Sequence, residues 1–158
     1  MTMPRKSPGV HFPPPILYVI GFGIGWLLNR AWPFPLFHSM RSAGGWFFGW
    51  LLIGLALILL AAALVTFLRH RTGIYPNQPA AAIVRDGPYR FSRNPMYVAL
   101  TILYLGIVLL THLLWPLLLL PLVILVLQKA VIQREERYLK DAFGEAYEQY
   151  CRQVRRWL

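Results

Sequence analysis

Charge is scarce in this chain. Asp, Glu, Lys and Arg make up 14% of the 158 residues, against 57% hydrophobic residues, and the mean hydropathy is +0.48. Such a balance excludes an ordinary soluble domain and indicates an integral membrane protein. Cysteine is nearly absent: with Cys151 alone an intramolecular disulfide is excluded and the redox compartment stays open. Strand patterning is lacking as well, which argues against a Rossmann-type cofactor domain, and there is neither a Gly-rich phosphate loop nor a nucleophile motif. His11, His38, His70 and His112 are too scattered to ligate a metal. No internal repeat is visible. The opening "MTMPRKSPGVHFPPP" runs into a long apolar stretch with no small-residue cleavage site soon after it, so a cleavable signal is not expected.

What is present is a set of four apolar segments, predicted as helices at about 16–33, 46–69, 95–111 and 113–132. Each approaches or reaches the roughly 20 residues that a bilayer-spanning helix needs. The expected fold is therefore an all-α integral membrane domain over 1–158 with about four transmembrane helices. The last two, separated only by Thr111 and His112, form a hairpin with Trp115 and Pro116 near its turn. Pro121 is expected to kink the fourth helix. From 133 to 156 the chain reads as a cytoplasmic amphipathic helix, because Tyr138, Leu139, Ala142, Phe143, Ala146, Tyr147, Tyr150 and Val154 recur at helical spacing, with Gly144 as a bend.

The net charge of +10 does not point to nucleic acid, because the basic residues gather at the ends of the apolar runs rather than along a separate stripe. Fourteen of the 16 Lys and Arg residues fall on one side of the proposed helices, leaving Arg30 and Arg41 opposite. That asymmetry predicts a multi-pass protein with both termini cytoplasmic and anionic headgroups as neighbours. Trp32, Trp46, Trp50 and Trp115 fall near the opposite ends, as an interfacial aromatic belt requires.

Polar chemistry concentrates at two places. The stretch "GPYRFSRNPMYVAL" closes a Pro- and Gly-rich loop over 71–94 and opens the third helix. Asn94 precedes a proline, and Pro95 is a natural first helical residue. The resulting helix N-terminus offers free N–H groups beside Arg90 and Arg93, with Tyr97 in the first turn. Arg90 reads as a headgroup anchor, and Arg93, next to Asn-Pro, is more constrained. Gly87 and Pro88 mark a turn. The second place is Glu135-Glu136: on a helical wheel Glu135 extends the buried stripe and so needs a partner. Pairing with Arg134, Arg137 or Lys140 along the helix is the alternative, worth only a few tenths of a kcal/mol.

The motifs "IVRDGPYRFSRNPMY" and, some forty residues on, "EERYLKDAFGEAYEQYCRQVRRW" resemble the isoprenylcysteine carboxyl methyltransferase and phospholipid methyltransferase superfamily over roughly Ile83 to Trp157. The resemblance implies a membrane enzyme that uses S-adenosylmethionine and takes a lipophilic or small acceptor from the bilayer. It implies that Ile83, Val84, Gly87 and Tyr89 line the adenosyl side, with Arg93, Asn94, Pro95 and Tyr97 closing the pocket. Glu135 and Glu136 match the paired acids. For methyl transfer to a carboxylate, Arg93 would orient the acceptor and no base is needed; for an amine or thiol a proton must leave, and Glu135 is the better candidate base. This chain departs from the eukaryotic isoprenylcysteine enzymes at Ala81 and Val131, where they carry a histidine and an arginine. Asn94 likewise stands where many members have histidine. Two other readings compete: a membrane reductase with a related carboxy-terminal fold, and a non-catalytic scaffold whose glutamates make structural salt bridges.

Overall fold

The computed structural model describes residues 9–10, 12–33, 43–70 and 82–158, and among these every regular element is helical. Arg5, Lys6, Arg41, Arg71, Ala81, His11, His38 and the 71–81 part of the long loop lie outside the described residues. Helix α1, Pro15–Ala31, opens on a proline, whose fixed φ suits a first turn and whose missing N–H is not needed there. Helix α2, Ala43–Arg69, is 27 residues long. A 3₁₀ turn, Gly87–Arg90, precedes α3, Pro95–Thr111. His112, in the left-handed region at φ 54, and Leu113 separate α3 from α4, Leu114–Leu127. Pro121 lies inside α4, and a π-helical segment, Gln128–Ile132, carries the chain into α5, Gln133–Phe143.

The carboxy-terminal amphipathic stretch is two helices rather than one. Gly144, at φ 51, ends α5, and α6 runs Glu145–Gln153. This break resets the helical phase. Tyr138, Tyr147 and Tyr150 are buried as the spacing predicts, but Ala142 and Ala146 are exposed.

Side-chain size is distributed inside out on α2. Gly49, Ala56 and Ala63, spaced by seven, face inward, and Ala56 and Ala63 are 1% and 0% exposed. Phe47, Leu51, Leu55, Ile58 and Val65 are exposed. Small residues let backbones approach closely, which is how helices associate where the surroundings are as apolar as the side chains. The approach is closest where Gly49 meets Gly106 of α3: a Cβ on Gly106 would lie 3.0 Å from the Gly49 carbonyl oxygen and 2.8 Å from Ile53. Two helices, Gly44–Arg69 and the continuous Leu114–Phe143, are long and apolar enough to cross a membrane, and α1 and α3 are shorter apolar helices.

Contacts fix the directions. Gly25 lies against Pro116 and Gly21 against Val123, so α1 and α4 run antiparallel; the Trp115 indole N–H donates to the Trp32 carbonyl at 2.8 Å. Tyr18, near the start of α1, bonds Thr101 in α3 at 2.8 Å. A core of Tyr18, Tyr104, Val108, Val123, Leu127, Val131 and Ile132 joins α1, α3 and α4. These pairings gather the starts of α1 and α3, the end of α2 and the α4–α5 junction at one end of the bundle.

Candidate functional site

At that end the loop before α3 is sandwiched between α2 and the α5–α6 pair. Adjacent residues take opposite sides: Val84 packs with Ala63 and Tyr89, while Ile83 packs against Tyr147, Tyr150 and Val154. Gly87 is required by its surroundings. Its φ is +55, and a Cβ there would lie 2.8 Å from Thr66 Oγ1, an oxygen already donating its proton to the Ala62 carbonyl. The turn that follows buries the Tyr89 ring against Phe67, with centroids 5.2 Å apart, and the Tyr150 hydroxyl donates to the Tyr89 carbonyl at 2.7 Å. Beside it Asp86 bonds His70 at 2.8 Å, and Arg85 donates to the Ala146 carbonyl with its guanidinium over the Tyr150 ring.

The entry to α3 is built from Ser92, Arg93 and Asn94. Ser92 Oγ accepts the Asn94 backbone N–H at 3.1 Å. The Asn94 side chain does not cap the helix; its Nδ2 donates to the Arg156 carbonyl at 2.9 Å. The Asn94 carbonyl accepts from Tyr97 and Val98. Pro95, buried, starts the helix.

Both acids of α5 point into this region. The Tyr97 hydroxyl donates to Glu135 Oε1 at 2.8 Å. Glu136 Oε1 lies 3.2 Å from Arg93 Nη1, with the two side chains 17% and 14% exposed. Glu136 also receives both Nε and Nη2 of Arg156, at 2.9 and 2.7 Å. The pairing along the helix surface is not what forms: Lys140 bonds Glu148 of α6 instead, and Glu135 has no cation partner among the described residues. Arg93 Nη1 further donates to Cys151 Sγ at 2.6 Å, and Arg93 Nε is buried with no hydrogen-bond partner.

The electrostatics follow from this packing. Glu135 lies beyond Ile132, where the apolar part of the long helix ends. Desolvation pushes its carboxyl up to about 7, the Tyr97 hydrogen bond offsets part of that rise, and the neighbouring Glu136 charge adds to it. Burial, then the charges of Tyr150 and Glu135, raises Tyr89 far above the usual tyrosine range. Burial raises Tyr147 in the same way, reinforced by Glu136 and Cys151. Both hydroxyls are neutral across the physiological range.

The structure therefore brings Arg93 to Glu136 and Tyr97 to Glu135. Ile83, Val84, Gly87 and Tyr89 form the adjoining wall against α2 and α6, and Arg90 is exposed. Sequence reasoning missed Arg156, Cys151 and Ser92. Arg156 entered it only as one of the basic residues that set topology, although it sits in the quoted carboxy-terminal motif.

No curated protein and no solved structure matches the chain. The model of the phospholipid methyltransferase (PEMT) family matches residues 45–146, spanning α2, the loop, α3, α4 and α5. The chain belongs to the phospholipid methyltransferase family.

Proposed function

We propose that the protein is a multi-pass membrane methyltransferase that uses S-adenosylmethionine and delivers the methyl group to a lipophilic or small acceptor. In this reading α1, α2, α3 and the apolar run 114–132 are four transmembrane helices, the last two a hairpin. The basic-rich end, carrying both termini and the site, faces the cytoplasm. Membrane lipids are the natural surroundings, and no nucleic acid is involved.

The observation that carries the reading is the convergence, in a chain of this family, of an acid bonded to Tyr97 but without a cation partner among the described residues and an arginine Nε without a hydrogen-bond partner near one helix start. The donor set fits the cofactor. Arg93 Nε would hold the methionyl carboxylate or, in its place, an anionic acceptor. Glu135 would accept from the ammonium or the ribose hydroxyls. Ile83, Val84, Gly87 and Tyr89 would flank the adenosyl group, and Asn94, Pro95 and Tyr97 would close the pocket. Glu136 would contribute through its grip on Arg93.

When bound, the sulfonium supplies an already activated methyl group, so the protein's work is to orient the acceptor and exclude water. For a carboxylate acceptor, Arg93 provides the orientation and no base is needed. For an amine or thiol, Glu135 receives the proton, and a carboxyl near 7 suits that task at neutral pH.

The scaffold reading draws on the Arg93–Glu136–Arg156 cluster, but it leaves Glu135 without a cation to bridge. Calorimetry with S-adenosylhomocysteine on detergent-purified protein separates the two. Saturable binding, weakened about tenfold or more by Arg93→Ala and by Glu135→Gln, is expected from the strength of charged hydrogen bonds. No saturable binding at millimolar ligand would contradict the methyltransferase reading.

A further inference from the structure

The chain after α6 forms a strap across the Ser92–Asn94 entry. The Arg155 carbonyl accepts the Arg93 backbone N–H at 3.0 Å, and the Arg156 carbonyl accepts Asn94 Nδ2 at 2.9 Å and Ser92 Oγ at 3.4 Å. Apolar side chains pin it on both sides: Val154 is buried with Tyr147 and Tyr150, and Trp157 packs on the core around Leu127 and Val131. The strap is thus attached without help from the Arg156 side chain. That side chain instead forks onto both oxygens of Glu136, and a two-point contact fixes the plane of a carboxylate as well as its position. Glu136, so held, presents Oε1 to Arg93 Nη1 at 3.2 Å, while Arg93 Nε remains buried and unpartnered.

We propose that Arg156 is a positioning residue: acting through Glu136, it sets the Arg93 guanidinium so that Nε stays free to receive an anionic group. In the methyltransferase reading on which the ligand's identity rests, that group is the cofactor's carboxylate. Arg156 lies beyond residue 146, where the family match ends.

Cys151, the only cysteine in the chain, is a reporter of where Arg93 sits, because Arg93 Nη1 donates to its sulfur at 2.6 Å. The test is a double-mutant cycle of Arg156→Ala and Glu136→Gln on the full-length protein in detergent, read as the rate of iodoacetamide alkylation at one fixed pH and as S-adenosylhomocysteine affinity on the same preparations. Arg156→Ala should change the alkylation rate and lower ligand affinity about tenfold. In the Glu136→Gln background the same substitution should change either quantity little, because its route to Arg93 is already cut. Arg156→Lys, which keeps the charge without the fork, should fall between wild type and Arg156→Ala. Unchanged rate and affinity in Arg156→Ala would overturn the inference, as would effects of Arg156→Ala and Glu136→Gln that simply add. Coupled alkylation rates in a protein that binds no S-adenosylhomocysteine would overturn the methyltransferase reading while leaving the Arg156–Glu136–Arg93 linkage standing.

Discussion

The Tyr97 hydroxyl donates to Glu135 Oε1 at 2.8 Å, joining the first turn of α3 to the first turn of α5 across a separation of 38 residues. This bond ties the loop-proximal half of the site to the acidic helix, and it is the clearest handle on the charge state of Glu135.

The Glu135 carboxyl is raised from 4.5 to about 7. A carboxyl whose folded value lies above its unfolded value contributes stability that is fully present below the unfolded value and is lost as the pH rises through the folded one. Melting temperature followed from pH 4 to 8.5 should therefore fall in wild type relative to Glu135→Gln between 4.5 and about 7, most steeply midway between those values, and level off above them. Tyr97→Phe removes a bond that favours the ionised form, so it should move that fall to higher pH. Parallel melting curves for wild type and Glu135→Gln would contradict the assignment.

Gly87→Ala is expected to destabilise the loop. The substitution combines a positive φ with a Cβ 2.8 Å from Thr66 Oγ1, and backbone strain of this kind costs about 1–3 kcal/mol. Thermal unfolding in detergent should show the loss, together with faster proteolysis of the 71–94 loop.

The α2–α3 crossing makes a paired prediction. Gly106→Ala puts a methyl 2.8 Å from Ile53 and 3.0 Å from the Gly49 carbonyl, and overpacking of this kind costs about 1–3 kcal/mol. At Gly54 nothing lies within 4 Å of an added Cβ. Gly54→Ala should thus be neutral, or stabilising by up to about 1 kcal/mol through helix propensity. Equal melting temperatures for the two variants would contradict the crossing geometry.

Tyr150→Phe deletes the bond to the Tyr89 carbonyl. The expected loss is about 1 kcal/mol, read as a lower melting temperature, with hydrogen exchange rising in the 87–91 segment and little change in α4.

Where local rules decide, the sequence was legible. Pro95 as a first helical residue, the α3 boundaries and the inward turn of Glu135 follow from proline stereochemistry and helical periodicity. The limits of that reading are equally local. A wheel drawn through Gly144 loses phase, so Ala146 comes out exposed. The π-helical segment Gln128–Ile132 adjusts the register into α5 and leaves no mark in composition. Arg156 resembles every other basic residue near a membrane until the strap folds it onto Glu136, a contact set by tertiary packing of Val154 and Trp157 rather than by any nearby motif.

The most direct test of the central claim is methyl transfer itself. Membranes from cells producing the wild-type protein or Glu135→Gln at matched levels are incubated with S-adenosylmethionine labelled in its methyl group, and label is counted in the organic extract and the small-molecule fraction. Label above background that appears with wild type and falls at least about tenfold with Glu135→Gln, as expected for loss of a positioned acid, is the predicted result. Equal incorporation by wild-type, Glu135→Gln and protein-free membranes would contradict it.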